Sequence, residues 1–171
     1  VVNFGIMYGA GPFRMSEELG ISRSDANQLI EQYFRTYPGI NDYITKTIAE
    51  ARQNTYVKTL TGRRRYVPDI NSENKNVREA AERVAINMPI QGTAADMIKI
   101  AMIGIHEDLN AGNFRSRMIL QVHDELVFDV YKPELEAIKP IIETRMSKAM
   151  PNLKVPILVE MGVGENWREA H

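Results

Sequence analysis

The chain has 171 residues, 44% of them hydrophobic and 25% charged, with a net charge of -1, which is the balance of a water-soluble globular protein with its own core. No apolar run approaches the roughly 18 residues that span a bilayer, so no membrane partner is expected. The absence of cysteine excludes disulfides and thiolate metal sites and is compatible with a cytoplasmic location. The start at Val1, with neither an initiator Met nor a signal peptide, suggests a segment of a longer chain.

The first third of the sequence predicts helices. Residues 3–8 have the pattern of the end of a helix, which the glycines and proline of residues 9–12 interrupt. Residues 22–25 are typical of a capped helix start. Apolar side chains then recur at helical spacing through two consecutive helices that meet at Pro38 and Gly39.

The middle third predicts a hairpin and then helices. Residues 56–60 and 65–67 are short β-rich runs on either side of Thr61 and Gly62. A long helix is expected over residues 74–88. It is expected to end at Pro89, because proline lacks the amide hydrogen that the next turn needs. A second helix is then expected to be capped anew by Thr93 to Asp96.

The last third predicts a small sheet. Residues 118–122 and 126–130 are β-rich runs joined by a turn of three polar residues, His123, Asp124 and Glu125. Pro133 is expected to open a helix, and residues 155–163 alternate as a closing strand would. The fold class is therefore α+β, with helices first and then a small antiparallel sheet backed by helices.

The polar turn is the sharpest candidate for chemistry. Two apolar strands fix a carboxylate there, which metal-dependent phosphoryl transfer needs. Mg²⁺ prefers oxygen ligands and usually takes only one or two protein carboxylates, so Asp124 is a candidate metal ligand. The alternative is an ordinary turn, since the Asp side chain favours turns by hydrogen-bonding to nearby backbone.

A polar stripe lies at helical spacing on the long helix, formed by Arg83, Asn87 and Gln91. Its donors and acceptors suit the minor-groove edges of base pairs, where purine N3 and pyrimidine O2 accept hydrogen bonds in every pair. The alternative is a solvated helix face.

Two further features point to nucleic acid. Phe4 and Tyr8 are an aromatic pair four residues apart on which a base or sugar could stack, although such a pair is more often core. Residues 52–83 carry eight Lys or Arg against four acids. Within them, three adjacent arginines at the hairpin suit phosphate contacts, Arg63, Arg64 and Arg65. The alternative is exposed, solvated charge.

Taken together, four segments resemble motifs of family A (DNA polymerase I-type) DNA polymerases, in the family's order. They are Asn3-Phe4-Gly5-Ile6-Met7-Tyr8-Gly9, then residues 62–69, then residues 78–96, and last Gln121-Val122-His123-Asp124-Glu125. The resemblance covers essentially the whole chain. It implies a partial right-hand polymerase fold, with residues 1–88 in the fingers, including the start of the minor-groove helix, and residues 89–171 in the palm.

The resemblance also implies roles for single residues. Asp124 matches a carboxylate that binds the catalytic ions, Glu125 a supporting acid, and His123 a residue near the primer terminus. Phe4 matches an aromatic beside the incoming sugar and Tyr8 a tyrosine near the templating position, with Asn3 in the same nucleotide-binding helix. The residues that match contacts to DNA are Arg63, Arg64, Arg65, Arg78, Arg83, Asn87 and Gln91.

The implied function is part of a template-directed DNA polymerase with two Mg²⁺ ions, whose partners are primer-template DNA, dNTP and the remainder of the polymerase chain. The second metal carboxylate, the thumb and the start of the fingers helix match nothing in this sequence, so the segment alone is expected to be inactive. In a bacterium, such an enzyme is expected in the cytoplasm, associated with the nucleoid. The alternatives are a non-catalytic nucleic-acid-binding module and a structural subunit of a split polymerase.

Overall fold

A computed structural model describes residues 2–170. The contacts between its residues divide the chain into two compact units, one up to Thr93 and the other from Ala94 onward. The elements are seven α-helices and two separate two-stranded antiparallel sheets in the described residues, which confirms the predicted α+β class. Within the same residues, no helix is long and apolar enough to cross a membrane.

The first unit begins with four helices, α1 (Val2–Met7), α2 (Pro12–Leu19), α3 (Arg23–Thr36) and α4 (Pro38–Asn54). The predicted capped start of α3 is confirmed, because the Ser22 side chain accepts a hydrogen bond from the Asp25 amide at 3.1 Å. Proline opens both α2 and α4, where its missing amide hydrogen costs nothing. A small core of Ile6, Met15 and Ala26 joins the first three helices.

The predicted hairpin follows, with strands β1 (Tyr56–Lys58) and β2 (Arg64–Tyr66). β1 is two residues shorter than the sequence indicated, and β2 has the predicted length but begins one residue earlier. A single turn of 3₁₀ helix, Pro68–Asn71, comes next. The hairpin lies over the start of the long helix, and its contacts form the main core of this unit, Ala51, Val57, Val67, Ile70, Ala81, Ala85 and Met88.

The long helix α5 runs without a break from Lys75 to Ala111, so the predicted stop at Pro89 and the new cap at Thr93 are both wrong. A proline inside a helix costs about 3 kcal/mol, and burial of α5 side chains on both sides of Pro89, such as Met88 and Ile105, offsets that cost. The Thr93 hydroxyl does not cap a helix. It donates to the Pro89 carbonyl at 2.5 Å, one turn back within α5.

The second unit contains the hairpin of β3 (Arg117–Val122) and β4 (Glu125–Asp129), a 3₁₀ turn at Lys132–Glu134, the helix α6 (Leu135–Ser147) and the short α7 (Trp167–Ala170). Leu126, Phe128 and Val130 pack against a core of Ile105, Leu109, Ile138 and Ile142. The predicted sheet backed by helices is therefore confirmed. Pro133 lies in the 3₁₀ turn, and α6 begins two residues later than predicted.

The predicted closing strand is wrong, because residues 155–163 form no strand in the described part of the chain. A strand exists only where a neighbour supplies hydrogen-bond partners to its backbone. Alternating apolar residues are therefore not sufficient, and two of the four on the predicted face are exposed here, Met161 at 42% and Val163 at 56%.

Candidate functional site

The turn between β3 and β4 holds the candidate carboxylate. Val122 pairs with Glu125 across the hairpin, so the turn has two residues, His123 and Asp124. The prediction of a three-residue turn is wrong in this detail, since Glu125 is the first residue of β4. His123 has φ 52°, in the left-handed region that is uncommon for residues other than glycine. The Gln121 side chain donates to the His123 carbonyl at 2.7 Å and stabilises this conformation.

Asp124 projects from the turn with its side chain exposed. Among residues 2–170, it has no hydrogen-bond or ion-pair partner, whereas the neighbouring Glu125 interacts with another group. A free carboxylate on a short two-residue turn is an oxygen donor of the kind that Mg²⁺ prefers. In the same residues, no cluster of three or more His, Asp or Glu side chains could hold a metal ion. The hairpin thus offers one ligand oxygen group that fits Mg²⁺.

A bulge changes the register of β3 five residues before Asp124. Met118 pairs with Phe128 and Leu120 with Val127, which leaves Ile119 as an extra residue. A bulge bends a strand and increases its twist, so β3 is bent locally before it reaches the turn.

The aromatic pair of α1 lies mostly on the surface. The rings of Phe4 and Tyr8 are stacked with centroids 6.1 Å apart and planes 19° from parallel. Phe4 is 66% exposed, so it is not a core residue. Asn3 accepts a hydrogen bond from the Tyr33 hydroxyl at 2.5 Å, which ties α1 to α3.

The end of α1 contacts α5 at the polar stripe. Gly9 has φ 75°, and a Cβ at this position would lie 3.2 Å from Cγ of Arg83. Glycine therefore permits both the turn and the close approach. The structure thus places the turn that follows α1, the helix with the aromatic pair, against Arg83 of the stripe.

The stripe itself combines exposed and buried groups. Arg83 and Gln91 are exposed, and neither has a polar partner in the described residues. Asn87 is partly buried, and its Oδ1 atom is the one buried side-chain oxygen or nitrogen of those residues that lacks a hydrogen bond. Such an atom costs free energy unless a ligand or water supplies a donor.

The candidate basic residues differ in what they contact. Arg63 donates from Nη2 to the Gly92 carbonyl at 2.9 Å, and Arg78 donates from Nη1 to the Ser72 carbonyl at 2.7 Å. Both therefore connect parts of the fold. Arg64 and Arg65 are exposed and have no ion pair in the described part of the chain.

Sequence reasoning missed the residues that position the stripe. The Tyr43 hydroxyl donates to the Ile86 carbonyl at 2.8 Å, one residue before Asn87. Thr59 lies against Gly92, one residue after Gln91. The signal available in the sequence was Gly92 itself, because a glycine inside a long helix often marks a close approach.

The fold match identifies part of a polymerase domain. The structure of the polymerase domain of Pol1 from M. smegmatis, in complex with DNA primer-template and dNTP, superposes with a TM-score of 0.94 at 42% identity, over 98% of this chain and 30% of that one. The sequence profile of DNA polymerase family A matches residues 1–169. The chain therefore belongs to DNA polymerase family A.

Two relatives show how much of such a protein the chain covers. DNA polymerase I of Lactococcus lactis subsp. lactis is 48% identical over 169 residues, which are 99% of this chain and 19% of that protein. The thermostable DNA polymerase I of Thermus thermophilus is also 48% identical over 169 residues, 99% of this chain and 20% of that protein. The chain spans about a fifth of the length of these relatives.

Proposed function

We propose that this chain is part of a template-directed DNA polymerase, which joins a dNTP to a primer 3′-hydroxyl with release of pyrophosphate. The observation that carries the proposal is Asp124, an exposed and unpaired carboxylate on a turn that β3 and β4 hold in place. The solved relative that the chain matches is a polymerase domain with primer-template DNA and dNTP, and we propose the same partners for this chain.

Asp124 would hold the catalytic Mg²⁺ ions together with groups outside this chain. When bound, two such ions activate the attacking hydroxyl and stabilise the charge on the leaving phosphates. His123, in its left-handed conformation, would face the primer terminus. Glu125, the first residue of β4, would support Asp124 from the neighbouring strand position.

The surface of the first unit would hold the nascent base pair. Phe4 would lie beside the incoming sugar and Tyr8 beside the templating base, with Asn3 fixing α1 to α3. The unsatisfied Oδ1 of Asn87 is supporting evidence, because hydrogen-bond donors on a bound substrate would remove its desolvation cost. Arg83 and Gln91 would contact the minor-groove edge on either side of Asn87.

The remaining basic residues would act in two ways. Arg64 and Arg65 have no ion pair among the described residues and would contact the DNA backbone. Arg63 and Arg78 would act mainly by holding the hairpin and the start of α5 in place. We further propose that residues 1–88 belong to the fingers and residues 89–171 to the palm of the complete enzyme, which we place in the cytoplasm near the nucleoid.

Primer extension with dNTPs and Mg²⁺ tests the proposal. The chain is assayed alone and then mixed with an N-terminal polymerase fragment that supplies the other metal carboxylate and the triphosphate-binding residues. We expect extension only in the mixture, and we expect Asp124→Ala to abolish it. Asp129→Ala is the matched control, since it removes the same exposed group from the far end of the same hairpin.

Three outcomes would contradict the proposal. Extension by the chain alone would show that its site is complete. Equal activity of wild type and Asp124→Ala, in a mixture shown to associate, would favour a structural subunit. DNA binding that resists EDTA and ignores Asp124→Ala, without any extension, would favour a non-catalytic binding module.

A further inference from the structure

The outer face of the β1–β2 hairpin carries only aromatic and cationic side chains. The register pairs Tyr56 with Tyr66 and Lys58 with Arg64. Since paired residues and residues two apart share one face of a strand pair, these four side chains lie together. Val57, between Tyr56 and Lys58, is 6% exposed and faces the core, so the four-residue face is turned toward solvent.

The cations of this face are held by a ring and not by acids. The Arg64 guanidinium lies 4.7 Å from the centroid of the Tyr56 ring, and the Lys58 ammonium lies 5.4 Å from it. Neither cation has an ion pair in the part of the chain that the structure describes. A guanidinium stacked on a ring is held in one orientation and keeps its N–H edges free for phosphate oxygens.

The pairing of Lys58 with Arg64 is unfavourable in the absence of a ligand. Like charges at directly opposite positions of a strand pair destabilise it. An acid at either position would remove the repulsion, but the hairpin has none between Tyr56 and Tyr66. A bound anion would have the same effect, so the arrangement favours a polyanionic partner.

The aromatic residues narrow the choice of partner. Tyr66 is 68% exposed and meets Tyr56 edge to face, with centroids 5.9 Å apart. Most of the Tyr66 side chain is therefore accessible to a ligand. A duplex hides its bases in the stack, whereas an unpaired strand offers both phosphates for the cations and base faces for the ring.

We infer that the outer face of this hairpin, Tyr56, Lys58, Arg64 and Tyr66, is a binding site for single-stranded nucleic acid. Tyr66 stacks on a base, and Lys58 and Arg64 contact adjacent phosphates. The inference deepens the proposed contact of Arg64 with DNA, and to that extent it rests on the proposed function. It adds a site for an unpaired strand that uses neither Asp124 nor the polar stripe.

Fluorescence anisotropy with a labelled 20-nucleotide oligothymidylate tests the site, first on the chain and then on its active mixture with the N-terminal fragment. We expect Tyr66→Ala to weaken binding at least about fivefold. Tyr66→Phe, which keeps the ring, should stay within about twofold of wild type. The double variant Lys58→Gln with Arg64→Gln should make the slope of log K against log salt concentration less steep by about 1.4. Each phosphate that is no longer neutralised accounts for about 0.7 of that change.

The matched charge control is Lys148→Gln with Lys154→Gln, which removes two exposed cations from the other unit and should leave the affinity unchanged. A blunt duplex should be insensitive to Tyr66→Ala. Each variant should fold, since none of the four side chains belongs to the core. Circular dichroism checks that it does.

Several results would overturn the inference. One is a failure of the chain to bind oligothymidylate. A second is an equal loss of affinity in the site variants and the control variants. A third is a loss of duplex affinity in Tyr66→Ala as large as the loss of single-strand affinity. A labelled decaglutamate that binds as tightly, without regard to Tyr66, would assign the face to an acidic protein segment. Primer extension by the active mixture separates the two proposals, because it depends on Asp124 and can succeed where the hairpin site fails.

Discussion

The Cγ2 methyl of Thr59 lies 2.6 Å from the position that a Cβ on Gly92 would occupy. The loop of the β1–β2 hairpin thus rests directly on the backbone of α5, next to Gln91. Thr59 is buried, and its hydroxyl accepts a hydrogen bond from the Arg63 amide, so it cannot move aside easily. Gly92 is therefore required by this close approach and not by helix preference.

Gly92→Ala is expected to destabilise the protein. Alanine favours a helix over glycine by about 1 kcal/mol, but the added methyl would overlap the Thr59 methyl, and overpacking costs about 1–3 kcal/mol. We therefore expect a net loss of about 1 kcal/mol in the free energy of unfolding, measured by urea denaturation. Gly39→Ala in α4 is the control, since a Cβ there meets none of the described residues within 4 Å. Equal stability of the two variants would contradict the close approach.

Tyr43→Phe is expected to change the stability at high pH. Burial raises the pKa of Tyr43, while a hydrogen bond from Thr47 partly opposes this. A raised folded-state pKa means that the native state holds the proton more tightly, so the stabilisation is complete below the unfolded pKa of about 10 and is lost as the pH rises through the folded value. The difference in unfolding free energy between wild type and Tyr43→Phe should therefore shrink above about pH 10.

The same variant has a simpler effect at neutral pH. Loss of the hydrogen bond to the Ile86 carbonyl should cost about 0.5–1.5 kcal/mol. Tyr37→Phe is the control, because that side chain is 53% exposed. A stability difference between wild type and Tyr43→Phe that persists unchanged to pH 11 would show that the hydroxyl does not titrate differently in the folded protein.

Glu134→Gln is expected to weaken the second unit in an acid-dependent way. The Glu134 carboxylate accepts hydrogen bonds from the amides of Arg115 and Ser116 and from the Ser116 hydroxyl. These hydrogen bonds lower the pKa of Glu134, and the bond from the Arg115 amide has the largest effect. The stabilisation is therefore present above the unfolded pKa of about 4.3 and is lost as the pH falls through the folded value.

The measurement compares thermal unfolding of wild type and Glu134→Gln from pH 7 to pH 3. The variant should melt at a lower temperature at pH 7, and the two should converge as the pH falls. Glu136→Gln is the control, since its surface pair with Lys139 is worth little. If Glu134→Gln melts below wild type by the same margin at pH 3, the charge of Glu134 is not the source of the stabilisation.

Local patterns were sufficient to predict most of the helices and hairpins, because these elements depend on residues that are neighbours in the sequence. The start of α3 follows from Ser22 and Asp25, and both hairpins follow from their flanking strands. The continuation of α5 through Pro89 could not be predicted, since it depends on packing against distant segments. The absence of a strand at residues 155–163 has the same origin, because a strand requires a partner.

The residues of the candidate site also fall into those that the sequence could predict and those that it could not. Asp124 stands out in the sequence because two apolar runs flank it. Tyr43 and Thr59 do not, since their contacts with α5 join residues 43 and 33 positions apart. The division of the basic cluster, with Arg63 tied to Gly92 and Arg64 facing outward, also needs the register of the hairpin.

Asp124→Asn is expected to separate activity from stability. The side chain is exposed and has no partner within residues 2–170, so the free energy of unfolding should change by less than about 0.5 kcal/mol. Asparagine keeps the shape but loses the charge that we propose holds Mg²⁺. Primer extension by the complemented enzyme should therefore fall by more than about 100-fold, since even changes to groups behind a ligand cost 10–100-fold.

The dependence on Mg²⁺ distinguishes a ligand from a residue that only shapes the turn. If Asp124 binds the ion, the Mg²⁺ concentration needed for half-maximal extension should rise in Asp124→Asn. Gln121→Ala is the comparison, because it removes the hydrogen bond to the His123 carbonyl. That variant should lower the rate of extension without a comparable change in the Mg²⁺ concentration. Because Gln121 acts through the backbone of the turn, its removal misplaces the carboxylate but leaves its charge intact. An unchanged Mg²⁺ requirement in Asp124→Asn would mean that the ion is held elsewhere in the enzyme.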